Sequence, residues 1–120
     1  MSPEFAELFE TFQKILKPYE KGKTVLRNKP NEYTLICEKP GPNGKPLYFA
    51  FVRAGKAYVS FHLMPLYFNP TLNAMVPPLL KKRMQGKTCF NFTKMDPERF
   101  KELAMLTKVG TEHWKKIGYL

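Results

Sequence analysis

Two histidines and two cysteines hold most of the reactive chemistry open to this chain, and their placement decides what that chemistry is. His62 falls in the run Tyr58-Val-Ser-Phe-His-Leu63, where strand alternation puts Tyr58, Ser60 and His62 on one side. A phenol, a hydroxyl and an imidazole in a row can hydrogen-bond a small ligand or partner. The run Leu47–Arg53 reads as the hairpin partner, with Gly55-Lys56 as a two-residue turn. That register places Tyr48, Ala50 and Val52 with Val59, Phe61 and Leu63 on a core face. Phe49 and Phe51 then join Tyr58, Ser60 and His62 on a mixed face, a shallow ligand pocket with aromatic walls. The competing reading covers this face with the segment 65–86, whose backbone would satisfy the same groups.

Cys89 lies in a further strand-like run, and a Cys89–His62 pair is the one route to an activated thiolate. Cys37 and Cys89 are too few for a disulfide scaffold and match no zinc spacing, so free core thiols are expected. His62 and His113 alone cannot make a histidine-rich metal site. The chain has no Gly-rich phosphate loop, no Gly-x-Ser-x-Gly elbow and no His-Glu-x-x-His. The expectation is a binding domain without catalysis of its own.

Charge suggests a second function. Twenty Lys and Arg against ten Asp and Glu give a net charge of +10. The densest cluster is Lys81, Lys82, Arg83 and Lys87, which could contact the phosphates of a nucleic acid. The same cations also suit the last turn of a short helix, where they meet the negative end of its dipole. Net charge alone argues for general attraction to polyanions.

The elements that must position these residues follow from pattern and punctuation. Ser2 and Pro3 begin a helix whose apolar stripe runs Phe5, Leu8, Phe9, Phe12, Ile15 and Leu16, ending near Lys17 before Pro18. Thr24–Leu26 reads as a short edge strand and Tyr33–Cys37 as a strand, followed by a Pro- and Gly-rich loop over 38–46. Strands over 47–53 and 58–64 come next. Short helices follow at Asn69-Pro70 and over Pro78–Met84, the second closed by Gly86. Thr88–Phe92 is a last strand with Phe90 and Phe92 inward. Asp96-Pro97 then opens a helix with an inner seam of Phe100, Leu103, Thr107, Gly110, Trp114 and Ile117. Gly110 is either a close-approach point or a break. The expected fold is α+β, an antiparallel sheet packed against N-terminal and C-terminal helices.

At 120 residues and 43% hydrophobic, the chain fits a single domain over 1–120 with a sizeable core. No apolar run approaches a membrane span and no secretory apolar region opens the sequence, so a cytoplasmic protein without membrane contact is expected. The aromatic content fits a protein-interaction module as well as a ligand site, with a monomer or a homodimer both compatible.

The stretch Lys56-Ala-Tyr-Val-Ser-Phe-His-Leu-Met-Pro65, with Pro78-Leu-Leu-Lys-Lys-Arg-Met-Gln-Gly-Lys-Thr-Cys-Phe-Asn-Phe92, resembles the YdhG-like family of small bacterial domains. The resemblance extends over roughly residues 30 to 117 and implies a helix-flanked sandwich related in shape to the frataxins. Iron is the one cofactor it suggests, since some members are discussed as intracellular iron chaperones. Frataxin-type iron handling uses an acidic ridge, because hard cations take carboxylate oxygens. Here the one ordered acidic array is Glu4, Glu7 and Glu10, and steps of three fall about 60° short of a helical turn. Those carboxylates therefore spiral around the helix.

Overall fold

A computed structural model describes residues 1–67 and 69–120. The first helix, α1 (Pro3–Leu16), begins where the Ser2 hydroxyl accepts the Phe5 N–H at 3.1 Å. Leu8, Phe9, Phe12 and Leu16 form its buried stripe, and a 3-10 turn at Lys17–Tyr19 takes over at Pro18. Six strands follow: β1 (Lys23–Lys29), β2 (Glu32–Pro40), β3 (Pro46–Ala54), β4 (Val59–Leu63), β5 (Met84–Gln85) and β6 (Cys89–Phe92). They form one antiparallel sheet in the order β1-β2-β3-β4-β6-β5. Between β4 and β5 lie α2 (Pro70–Ala74) and α3 (Pro78–Lys81), and α4 (Pro97–Lys116) closes the chain. The fold is α+β, with an antiparallel sheet between the N-terminal and C-terminal helices, as the pattern predicts.

All four helices feed one core on the inner face of the sheet. Phe12 of α1 is its hub, meeting Phe61, Phe92 and Phe100 edge-on with ring centroids 5.6, 5.5 and 5.0 Å away. The 3-10 turn at Met64–Leu66, together with α2 and α3, packs on α4. The segment after β4 therefore thickens the helical layer and does not cover the mixed face. Among the described residues no helix lies on the outer side of β3, β4 and β6.

Five local expectations are corrected. The loop over 38–46 is shorter, because β2 continues to Pro40 and β3 begins at Pro46, the two prolines pairing at the strand ends. The β3–β4 connection is Gly55–Tyr58, with the Gly55 N–H donating to the Tyr58 carbonyl at 3.0 Å and Ala54 opposite Val59. Tyr58 thus sits in the turn and not in a strand. The third correction bears most on function. Leu35 pairs with Ala50 but Ile36 with Tyr48, so Phe49 is an extra residue, a β-bulge. A one-residue slip sends side chains to the other face. Phe49 is consequently fully buried against Trp114 and Tyr19, while Tyr48 turns outward against Phe51.

Fourth, the helix expected over Pro78–Met84 stops at Lys81. Met84 and Gln85 pair with Phe90 and Cys89, and Gly86, at φ +77°, turns the chain between them. Fifth, α4 runs unbroken through Gly110, where a Cβ would lie 2.9 Å from the Pro65 Cβ, and Ile117 beyond its end is 47% exposed rather than inward.

Candidate functional site: the outer sheet face

On the outer face, cross-strand pairing assembles side chains that are distant in sequence. β3 and β4 place Phe51 opposite His62 and Arg53 opposite Ser60, while β6 places Asn91 opposite Ser60 and Cys89 opposite His62. The His62 ring lies flat on Phe51, centroids 4.1 Å apart and planes 12° apart. Tyr48 meets Phe51 edge-on at 6.2 Å, and the Arg53 guanidinium stands 5.5 Å from the Phe51 ring centre.

A hydrogen-bond relay spans the far strands. The Ser60 hydroxyl donates to Asn91 Oδ1 at 2.9 Å, the Cys89 thiol donates to the same oxygen at 3.1 Å, and Asn91 Nδ2 donates to Gln85 Oε1 at 2.7 Å. The Leu63 N–H bonds the Thr88 carbonyl at 2.9 Å, so the alternating ladder makes His62–Cys89 a non-hydrogen-bonded pair, where side chains come closest.

The electrostatics follow from this packing. Burial, and then the nearby Arg53 charge, push His62 down to about 4, so its imidazole is neutral at physiological pH. Burial pushes the Cys89 thiol up, offset in part by the neighbouring Ser60 hydroxyl. The thiol is therefore protonated, and its hydrogen bond goes to Asn91. That arrangement is far from the thiolate–imidazolium pair a cysteine nucleophile needs. Arg53 and Arg27 share one carboxylate, Glu32, at 3.6 and 3.3 Å.

Around these groups lies an open depression of about 550 Å³, lined by Arg53, Gly55, Lys56, Ala57, Tyr58, Ser60, His62, Gln85 and Cys89. Its lining holds two cations and no carboxylate. A smaller hollow of about 230 Å³ adjoins it through Arg53, with Arg27, Glu32, Thr34, Tyr48 and Phe51 in its walls.

Of the residues singled out in the sequence, Tyr58, Ser60 and His62 surround one depression, and Phe51 backs it. Phe49 is not part of it: the bulge turns it inward, 6.1 Å from Trp114, with the Lys23 ammonium 4.3 Å from its ring centre. Arg53, Gln85, Cys89 and Asn91 complete the face; of these the sequence singles out only Cys89, as a possible partner of His62, and the pairing of β4 with β6 does set the two opposite each other. Their signal was partial, since Phe90 and Phe92 pointing inward already require Cys89 and Asn91 to point outward. Which strand they would face was not legible.

Arg83 and Lys87 do not converge. Lys81, Lys82, Arg83 and Lys87 are all exposed, but the Arg83 guanidinium lies 6.0 Å from the Phe92 ring and the Lys87 ammonium 5.6 Å from that of Tyr67. Phe92 pairs with Val59 at the start of β4, whereas Tyr67 follows its end. Arg83 and Lys87 thus stand at opposite ends of that strand.

Among the described residues no group of three or more His, Cys, Asp and Glu could hold a metal ion. Glu4, Glu7 and Glu10 are exposed on α1, with Glu10 paired to Lys14 at 3.3 Å, so this donor set does not fit iron. No helix among the described residues is long and apolar enough to cross a membrane. Comparison with protein-family models, with curated proteins and with solved structures finds no match.

Proposed function

We propose that the protein is a non-catalytic binding module whose outer sheet face receives a small organic anion of the carboxylate class. The observation that carries this reading is the depression itself. A neutral imidazole is held flat on Phe51, with two cations and no carboxylate in the lining. A neutral imidazole offers one donor, the Gln85 NH2 group adds others, and Arg53, which already faces Glu32 through Nε, adds a guanidinium suited to a carboxylate. Binding is favoured over catalysis because the one candidate nucleophile, Cys89, is a neutral thiol engaged by Asn91. The segment 56–65 that resembles the YdhG-like family supplies the turn and β4, which form one wall of the site. Iron has no part in this reading.

Calorimetric titration with benzoate tests it. The native protein should bind at one saturable site, and His62→Ala should weaken binding at least ~10-fold, a loss of about 1.4 kcal/mol. Equal affinity in the variant, with its thermal unfolding unchanged, would remove the face from the account.

A further inference from the structure

A second cavity lies elsewhere, where the β2–β3 loop, the segment after β4 and the end of α4 meet. It measures about 420 Å³, and its lining includes Leu47, Met64, Pro65, Trp114 and Tyr119. Its described lining holds no Asp, Glu, Lys or Arg, in contrast to the sheet-face depression, and its one histidine is His113.

Ring packing and a backbone reversal shape its walls. Trp114 is 5% exposed and is held edge-on by Phe49 at 6.1 Å and Tyr119 at 5.4 Å. Gly118, at φ +86°, reverses the chain, and the Tyr119 N–H returns to the Trp114 carbonyl at 2.9 Å. The missing side chain at Gly110 lets α4 close against Pro65, which fixes the floor.

His113 and the Tyr67 and Tyr119 hydroxyls can donate or accept, while two amides add donors. Asn43 Oδ1 is taken by the Lys45 N–H at 3.0 Å and Asn69 Oδ1 by the Leu72 N–H at 3.0 Å, which leaves each side chain its NH2 group to offer. A mainly apolar cavity of this size with a few polar groups in its lining is the usual form of a small-molecule site.

We infer that this cavity binds an uncharged aromatic compound of two or so rings bearing a carbonyl acceptor. Charge complementarity carries the class: a charged ligand would lose its hydration and meet no carboxylate, ammonium or guanidinium in the described lining. The aromatic walls stack or edge-pack against a planar ring, and Asn43 and Asn69 donate to its carbonyl.

The test uses prodan, an uncharged naphthalene ketone whose emission shifts to the blue in apolar surroundings. Its absorption overlaps the emission of Trp114, the single tryptophan of the chain. The expected result is a saturable blue shift at one site per chain, with matching quenching of Trp114. Asn43→Asp keeps the acceptor for Lys45 and removes the donor, and should weaken binding about 10-fold. Ile117→Arg places a charge at the half-exposed rim without touching the core, and should weaken binding at least as much. His62→Ala, on the sheet face, should leave prodan affinity unchanged, which keeps this inference separate from the proposed function. No saturable signal, or affinity indifferent to both Asn43→Asp and Ile117→Arg, would overturn it.

Discussion

A histidine that stays neutral down to about pH 4 has a consequence for stability. Unfolding returns His62 to an ordinary value near 6.5, so between about 6.5 and 4 the unfolded chain binds a proton that the folded one refuses. Protonation then favours unfolding, and this contribution is present above pH 6.5 and lost as pH falls through that window. Solvent screens the half-open ring, which leaves an effect of roughly 2 kcal/mol. Thermal unfolding of the native protein should fall more steeply between pH 6.5 and 4.5 than that of His62→Phe, which keeps the stack on Phe51 and cannot titrate. Parallel curves would contradict the packing described for His62. At this scale the sequence was readable in part. The alternation of Ser60 and His62 marks one face without any structure, because period two is intrinsic to a strand. The neutrality of His62 was not readable, since it depends on Phe51 and Arg53 across a register that local pattern leaves open.

At the scale of elements, the bulge in β3 reorganises the face. Phe49 and Ala50 both turn inward, Tyr48 turns out, and a strand that reads as plain alternation carries a one-residue shift. The cause is competition for the core: Phe49 fills the space between Tyr19, Lys23 and Trp114. None of these is near it in sequence. Phe49→Ala should therefore cost about 3–5 kcal/mol, the range for deleting a buried aromatic, whereas Phe51→Ala should cost about 1–2 kcal/mol. Urea unfolding of the two variants measures both, and equal losses would argue against the bulge. Helix starts were more legible, because N-caps are local. Ser2-Pro3 and Asn69-Pro70 both open helices, with Asn69 Oδ1 accepting the Leu72 N–H. The strand at Met84–Gln85 escaped because its two residues make a strand only through pairing with β6.

For the whole molecule, the sheet separates a helical side that holds the apolar core from a polar outer face. Its edges are poorly suited to pairing with a second copy: β5 has two residues, and β1 carries Lys23, Arg27 and Lys29. Because Arg83 and Lys87 stand apart, attraction to a single-stranded oligonucleotide should be weak and diffuse. Arg83→Glu and Lys87→Glu should each reduce it by a similar small factor, and 0.2 M salt should abolish it. Tight binding that survives such salt and fails in Arg83→Glu alone would favour a nucleic-acid function instead. The α+β class could be read from the order of patterns along the chain, but the openness of the outer face could not. It depends on the segment after β4 packing against α4, a choice that no local pattern encodes. The most direct test of the central claim is a map of backbone amide shifts during a benzoate titration. The account predicts saturable shifts confined to residues 53–62 and 85–91, lost in His62→Ala. Shifts confined to residues 43–47 and 113–119, or none that saturate, would contradict it.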